Sequence, residues 1–201
     1  MEMKVDRVVV GEIETNCYIV TCLKTGKSLV IDPGDDYPKI LRASSGREIS
    51  LVLNTHGHID HIKEDGRFGL PVYIHTLDRD CLRDPSRNLS ALLGFAFTVD
   101  PEVVGIGDGD QIRLGELTFL VIHTPGHTLG SVSFLAGGVL FSGDTLFCGD
   151  RGRTDLPGGS EEEICASITE KLLPLPMSTL VYPGHGPETS IGAERKLWDG
   201  N

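Results

Sequence analysis

Short apolar segments alternate with glycine-rich or polar turns along most of the chain. Runs of roughly three to eight apolar and β-branched residues between turn residues predict strands. The 25 glycines among 201 residues fit a chain with many tight turns. Ten segments have this pattern: 5–10, 16–22, 28–31, 51–53, 71–74, 111–114, 117–122, 131–135, 139–141 and 179–182.

Two segments have helical patterns instead. Residues 37–43 predict a short helix, and residues 160–173 predict the longest helix of the chain. Ser160 and Glu163 are spaced as a capping box at its start, and Pro174 ends it. Its apolar stripe repeats every four residues, at Ile164, Ile168 and Leu172.

The order of the segments indicates one domain with two related halves. A strand, a glycine turn, a second strand and an Asp beside a Gly describe both residues 16–34 and residues 131–144. Segment 77–93 is mostly polar and is interrupted by Pro85, and only a short tail follows the last predicted strand. Because no linker-like segment divides the chain, a single domain over residues 1–201 is expected.

The charge and the cysteines restrict the classes of partner and compartment. A formal net charge of -11 and a pI near 5.0, without a block of Lys or Arg, disfavour nucleic acid and anionic membranes as partners. Residues 1–6 contain no apolar signal core, and no apolar run has the length of a membrane span. The five cysteines form no Cys-x-x-Cys pair and suit a reduced compartment. A cytoplasmic protein is therefore expected.

The densest group of chemically active side chains follows the predicted strand 51–53. His56, His58, Asp60 and His61 fall within six residues. Imidazole nitrogens and carboxylate oxygens are ligands that zinc and similar divalent metals prefer. In an extended chain His56 and His58 point the same way, whereas the neighbours Asp60 and His61 cannot both do so. The loop is therefore suited to two metal ions, one for each pair.

Three further candidates lie in glycine-bearing turns after other predicted strands. His127, Asp144 and His185 each come shortly after one of them. Taken singly, each is an ordinary loop or turn residue. Their shared placement instead predicts a metal site at one rim of a β core, because rigid strand ends position loop side chains.

These motifs resemble those of the metallo-β-lactamase superfamily, and within it the glyoxalase II-like hydrolases. They run in the family's order and span nearly the whole chain. The matching pieces are Asp32 in its Asp-Pro-Gly turn, His56 to His61, Pro125-Gly126-His127-Thr128, Gly143-Asp144-Thr145 and Pro183-Gly184-His185-Gly186. The resemblance implies an α+β fold, a four-layer αββα sandwich in which helices flank two mixed β-sheets.

The resemblance also implies a role for each candidate residue. It assigns His56, His58 and His127 to one metal, Asp60, His61 and His185 to the other, and Asp144 as a bridge between both. Asp32 would orient the ligand loops through hydrogen bonds without binding a metal. Zinc is favoured over iron or manganese by the order of metal affinities, although metal availability in the cell can override this order.

The chemistry implied is hydrolysis by a metal-bound hydroxide. Two divalent ions would lower the pKa of a bridging water, and the hydroxide would attack a carbonyl carbon. The metals would stabilise the oxyanion that develops. A small-molecule thioester such as S-acylglutathione fits, because a thiolate leaves without a strong general acid. Asp60 would also orient the hydroxide.

The sequence departs from glyoxalase II where that enzyme contacts glutathione. Arg153 stands in place of a glutathione-binding Lys and keeps a cation able to bind a carboxylate. Asp155 and Pro187 replace two tyrosines, and the chain ends at Asn201 without the helical domain that helps to hold glutathione. Arg151 and Arg153 are alternatively solvated or paired with nearby acids. The thiol carrier, the acyl group and the oligomeric state stay open.

Other functions fit parts of the pattern. Persulfide dioxygenases share the scaffold and a Gly-Arg-Thr-Asp segment, and they use a single iron held by two His and one Asp. In this chain His56, His127 and Asp144 would be the ligands of such an iron. β-Lactam hydrolysis is disfavoured because no secretory signal is found, and RNA processing is disfavoured by the charge. A non-catalytic metal-binding domain is the alternative from a different class. Seven candidate ligands argue against it, because a structural zinc is usually closed by four.

Overall fold

The computed structural model describes residues 3–198, which form two six-stranded β-sheets packed face to face with helices on their outer faces. The first sheet contains β1 (Met3–Val10), β2 (Thr15–Cys22), β3 (Ser28–Ile31), β4 (Ile49–Leu53), β5 (Val72–His75) and β6 (Val103–Ile106). The second contains β7 (Gln111–Leu114), β8 (Leu117–His123), β9 (Val132–Ala136), β10 (Val139–Gly143), β11 (Leu180–Pro183) and β12 (Thr189–Ser190).

The helices are mostly short. They are α1 (Tyr37–Ser44), α2 (Ile59–Ile62), α3 (Asp65–Phe68), α4 (Glu161–Ala166) and α5 (Ile191–Trp198). Two 3-10 turns, Arg79–Leu82 and Ser90–Leu93, lie in the polar segment, and a π-helical stretch, Ser167–Leu172, continues α4. Within the described part of the chain, no helix combines the length and the apolar character needed to cross a bilayer.

Both sheets are mixed, and their strand pairing repeats. β1, β2 and β3 pair antiparallel and β3 pairs parallel with β4, while β8, β9 and β10 pair antiparallel and β10 pairs parallel with β11. An Asp follows the third strand of each set, Asp32 after β3 and Asp144 after β10. The two related halves expected from the sequence therefore have the same local topology.

The core has three apolar layers, which confirms the predicted αββα sandwich. Between the sheets, Tyr18, Leu53, Phe119, Phe134 and Phe141 are at most 2% exposed. A second cluster lies under α1 on the first sheet, and a third lies under α4 and α5 on the second. Burial of these side chains is the main stabilising term, at about 25 cal/mol per Å² of apolar surface removed from water.

The longest predicted helix is confirmed in its cap and in its buried stripe. The Ser160 side chain accepts a hydrogen bond from the Glu163 backbone amide at 3.3 Å. The stripe packs against the second sheet, with no exposed surface on Ile164, Ile168 and Leu172. The helix ends at Leu172, before Pro174.

Several short elements were not expected from the sequence, namely α2, α3, β6, β12 and α5, and two of them are informative. The segment Val103–Ile106 forms an edge strand. The sequence pattern does not predict it, because most of its residues are half-buried or exposed and it contains Gly105. The expected tail is instead the helix Ile191–Trp198, in which Ile191 and Glu194 are buried. The Glu194 carboxylate accepts hydrogen bonds from the Gly149 amide and the Thr189 hydroxyl. Such long-range contacts, rather than a strong local pattern, fix this helix.

Candidate metal centre

The seven predicted ligands meet at one rim of the sandwich, where strands of both sheets end. His56, His58, Asp60 and His61 follow β4, His127 follows β8, Asp144 follows β10 and His185 follows β11. The backbone amide of Asn16 at the start of β2 donates to the Gly184 carbonyl at 2.7 Å and joins the sheets at this rim. Three groups of ligand atoms result, each within 4.8 Å. The first is His56, His58 and His127, the second is Asp60, His61 and His185, and the third is His56, His61 and Asp144, which shares one histidine with each of the others.

The first group consists of three buried imidazoles. Nδ1 of His58 lies 3.1 Å from Nε2 of His56 and 2.9 Å from Nε2 of His127. Tetrahedral ligands of a zinc ion, each roughly 2.0–2.1 Å from it, lie about 3.3 Å apart. The three nitrogens are therefore spaced nearly as the ligands of one ion.

The second group contains Asp60, His61 and His185. Oδ2 of Asp60 lies 3.2 Å from Nε2 of His61 and 3.2 Å from Nε2 of His185. Asp60 and His61 lie on α2, one residue apart, while His185 comes from the other sheet. The two sheets thus contribute jointly to this group.

Asp144 lies between the two groups and faces both. Its Oδ1 is 3.5 Å from Nε2 of His61, and its Oδ2 is 3.6 Å from Nε2 of His127 and 3.5 Å from Nε2 of His185. Oδ1 therefore faces His61 of the second group, and Oδ2 lies between His127 of the first group and His185 of the second. This is the placement that a bridging carboxylate requires.

Hydrogen bonds on the far side of two rings orient their lone pairs toward the cluster. Nδ1 of His127 donates to the Arg153 carbonyl at 2.8 Å, and Nδ1 of His185 donates to the Ile13 carbonyl at 3.1 Å. Because a carbonyl oxygen only accepts, the proton lies on Nδ1 and each Nε2 presents a lone pair. Nδ1 of His61 likewise lies 3.0 Å from Asp32 Oδ2. Such partners are typical of metal-binding histidines.

Asp32 contacts the start of the loop that carries four of the candidate ligands. Its carboxylate accepts hydrogen bonds from the backbone amide of Thr55 at 2.8 Å and from the Thr55 hydroxyl at 2.7 Å. It is 1% exposed and has the positive φ of 51° that a tight turn requires. Asp32 therefore fixes the backbone at the start of the His56–His61 loop as well as the His61 ring.

Burial and charge shift the protonation of the cluster in opposite directions. Burial lowers the pKa of His56 well below its usual value and that of His58 to about 3, so both rings are neutral. Burial also acts to lower the pKa of His61, but the carboxylates of Asp60, Asp144 and Asp32 raise it well above normal. Carboxylates that attract a proton in this way also attract a cation.

Unpartnered buried atoms show that the cluster fits metal ions. Nε2 of His61 and Oδ1 of Asp144 are buried without a hydrogen-bond partner. An unsatisfied buried polar group costs roughly 1–3 kcal/mol, so native structures rarely keep one without a reason. A divalent ion between these atoms would satisfy both, and their donor types are those that zinc and iron accept.

Two supporting residues escaped the sequence analysis. The carboxylate of Asp78 accepts from the Gly57 amide at 3.0 Å, the Thr128 hydroxyl at 2.6 Å and the Gly130 amide at 2.9 Å. It thus ties the His56–His61 loop to the loop of His127. Asp78 follows β5, so the strand-end signal that marks the ligands could have found it.

Thr15 is the second of these residues. Its hydroxyl donates to Oδ2 of Asp60 at 3.0 Å. It is the first residue of β2 and is 1% exposed. No local signal marks it, because it acts across 45 residues of sequence.

Gly184 shows why a glycine precedes His185. A Cβ atom at this position would lie 2.1 Å from Oδ1 of Asp144 and 2.9 Å from Cε1 of His61. Any other residue would displace these two side chains. The backbone just after β11 therefore approaches the cluster closely only because Gly184 has no side chain.

The two arginines of the glycine-rich loop are paired with acids. The Arg153 guanidinium forms two hydrogen bonds of 2.7 Å with Asp155, and Arg151 forms an ion pair with Glu161. The Arg153 side chain is 62% exposed, while its backbone carbonyl orients His127. The predicted role of Arg153 in substrate binding stays a prediction.

A cavity of about 540 Å³ opens above the cluster. Its polar floor comes from the cluster itself, through His58, Asp60, His127, Asp144 and His185. The remaining walls are mostly leucine, isoleucine and phenylalanine side chains. A small molecule in this cavity would therefore contact the candidate metal ligands directly.

The sandwich and the His/Asp cluster at its rim define a metallo-hydrolase fold. A family model described as the metallo-beta-lactamase superfamily matches residues 10–185, and the chain belongs to that superfamily. In this superfamily, His and Asp groups of this kind imply divalent metal ions.

Curated relatives cover nearly the whole chain. The probable metallo-hydrolase YqgX of Bacillus subtilis is 38% identical over 96% of this chain and 95% of its own length. The hydroxyacylglutathione hydrolase GloC of Haemophilus influenzae is 29% identical over 96% of each chain.

Solved structures agree with the fold. The crystal structure of the BLEG-1 B3 metallo-beta-lactamase has a TM-score of 0.89 and 38% identity, covering 96% of this chain and 97% of its own. The crystal structure of TTHA1623 in a di-iron-bound form has a TM-score of 0.83 and 36% identity, covering 96% and 98%.

Proposed function

We propose that this protein is a metal-dependent hydrolase that cleaves small-molecule thioesters, such as S-acylglutathione, at a site with two divalent ions. The observation that carries the proposal is the position of Asp144, whose two carboxylate oxygens face two adjacent groups of ligand atoms. Similarity to a hydroxyacylglutathione hydrolase supports the substrate class.

The proposal assigns the ligands from the geometry of the three groups. His56, His58 and His127 would hold one ion, Asp60, His61 and His185 the second, and Asp144 would contact both. Bound ions would polarise the substrate carbonyl and acidify a coordinated water. Asp32, Asp78 and Thr15 would keep these side chains in place.

Asp60 is the proposed catalytic residue as well as a ligand. It lines the cavity, and its Oδ2 is held by the Thr15 hydroxyl at 3.0 Å. Burial alone would raise the pKa of Asp60, but the neighbouring His61 and His185 rings lower it well below its usual value. The carboxylate is therefore an acceptor that can orient an attacking water.

Zinc is the proposed metal, with iron or manganese as alternatives. Mixed imidazole and carboxylate ligands suit all three, and zinc binds most tightly at equilibrium. The crystal structure of TTHA1623 in a di-iron-bound form supports iron as an alternative metal. Direct metal analysis of the purified protein distinguishes them.

The test combines metal content with turnover. The protein is purified without added metal, its metals are measured by mass spectrometry, and S-D-lactoylglutathione, glutathione persulfide and a β-lactam are assayed. We expect two metals per chain and thioester hydrolysis that a chelator abolishes and added metal restores. One iron per chain with oxygen consumption on the persulfide would support the dioxygenase instead. Turnover of the β-lactam alone, or of none of the three, would also overturn the proposal.

A further inference from the structure

We infer that the thioester substrate carries an apolar alkyl acyl group, which binds in the cavity above the metal cluster. This inference rests on the proposed thioesterase function and names the substrate class within it. It is based on the cavity walls, on the pairing of the cavity's cations and on a second cavity that meets the first at Asp60.

The walls of the cavity are apolar although they face water. They include Ile13, Leu89, Leu92, Leu93, Phe147 and Leu156. Ile13 is 60% exposed, Leu92 69% and Leu93 64%. Exposed apolar side chains that cluster around a polar site mark a ligand-binding groove, because covering them releases water. An alkyl chain is the ligand that gains most from such a wall.

The cations of this cavity are already neutralised. Arg151 is paired with Glu161, and Arg153 is paired with Asp155 through two parallel hydrogen bonds. A carboxylate-bearing arm would have to compete with Glu161 or Asp155 for these guanidinium groups. The cavity therefore favours an uncharged arm over a charged one.

A second cavity of about 360 Å³ offers a place for the other arm of the thioester. It shares Asp60, Ile59, Ile13 and Leu93 with the first cavity. Its own lining is more polar and includes Glu12, Asp35 and Lys63. A carbonyl at the junction would lie at Asp60, with the acyl arm along the leucines and the polar thiol arm in the second cavity.

The leucine wall is held rigidly against the metal loop. Leu92 and Leu93 lie on the 3-10 turn that follows Asn88, which is fully buried. The Asn88 side-chain amide donates to two backbone carbonyls, and the Asn88 backbone carbonyl accepts from the Ile59 amide at the start of α2 at 2.9 Å. These hydrogen bonds connect the turn that carries Leu92 and Leu93 to the helix that carries Asp60, as a specificity surface requires.

Chain-length dependence tests the inference with one uncharged thiol throughout. The assay offers the metal-loaded protein four thioesters of N-acetylcysteamine, with acetyl, butanoyl, hexanoyl and octanoyl groups. We expect kcat/KM to rise about two- to fourfold for each added methylene, the gain typical of burying a CH₂ group. Leu92→Ser should flatten this profile, because Leu92 lines only the acyl cavity.

A matched control variant distinguishes the loss of a cavity-wall leucine from the loss of any exposed leucine. Leu23 is 57% exposed and follows the end of β2 opposite to Thr15. Leu23→Ser should keep the wild-type profile. A flat or falling profile in the wild type, with metal-dependent turnover present, would overturn the acyl inference and leave the thioesterase intact.

Calorimetry provides a readout that does not depend on turnover. The non-hydrolysable thioether S-hexyl-N-acetylcysteamine should bind at least tenfold more tightly than its S-ethyl analogue, with a negative heat-capacity change. Leu92→Ser should remove this preference, and Leu23→Ser should not. Equal binding of the two thioethers would overturn the inference, whereas hexyl-selective binding without turnover of any thioester would overturn only the proposed function.

Discussion

The Asp32 carboxylate lies 3.0 Å from Nδ1 of His61 and also accepts both hydrogen bonds of Thr55, the residue before His56. One turn residue therefore orients ligands of both candidate metal groups. This relationship links the turn after β3, where Asp32 lies, to the loop after β4, the parallel neighbour of β3.

Asp32→Asn should weaken metal binding without unfolding the protein. The amide keeps the size of the side chain but loses the charge facing His61, and losing such a partner typically costs 10–100-fold in metal affinity. Competition with a chromogenic chelator measures the affinity. Asp80→Asn, at an exposed position, is the control. Unchanged affinity in Asp32→Asn would contradict the supporting role.

His58→Ala should lose metal and activity together. Nδ1 of His58 is the atom nearest to both other nitrogens of its group, so its removal opens that group. Metal content is measured after gel filtration, alongside thioester turnover. His123→Ala is the matched control, because His123 stacks on His75 away from the cluster. Retention of two metals by His58→Ala would disprove the assignment.

Thr15→Val should lower kcat while metal content stays constant. The substitution removes the hydroxyl that donates to Asp60 Oδ2 and preserves the branched shape. A fall of about tenfold is expected, as for loss of a hydrogen bond to a charged group. Steady-state kinetics with metal analysis provide the measurement. Thr118→Val, on the exposed face of β8, should change neither. A wild-type kcat in Thr15→Val would show that the Thr15 hydroxyl does not contribute to catalysis.

Gly184→Ala should disrupt the centre through a collision. Its Cβ would lie 2.1 Å from Oδ1 of Asp144, so we expect loss of metal from the purified variant. Gly138→Ala is the control: Gly138 has a φ of +75° and no atom within 4 Å of a Cβ, so it should lose about 1 kcal/mol of stability and keep its metals. Full metal occupancy in Gly184→Ala would refute the close approach.

Stability should fall below pH 6.5 in part through His75. Burial and the stacked His123 ring lower the pKa of His75 below its usual 6.5. As the pH falls past 6.5, the unfolded chain binds a proton before the folded protein does, so the folded state loses stability. Urea unfolding of the metal-loaded protein between pH 7.5 and 5 measures this. His75→Phe should show a weaker pH dependence, and an equal dependence would exclude His75.

The sequence by itself determined the strands with regular apolar runs, the longest helix and the identity of the seven clustered residues. These features are local: strand period, capping and glycine turns are encoded within a few residues. The superfamily resemblance placed those residues in two groups before the structure did, because the motifs keep a fixed order along the chain.

Only the tertiary structure decided which distant segments support the site. Thr15 reaches Asp60 across 45 residues, and Gly130 reaches Asp78 across 52. The pairing of Arg153 with Asp155, the edge strand β6 and the helix α5 likewise depend on contacts or exposure that no local pattern expresses. The physical reason is that hydrogen bonds and packing between sheets depend on how the two halves dock, which residue spacing alone does not specify.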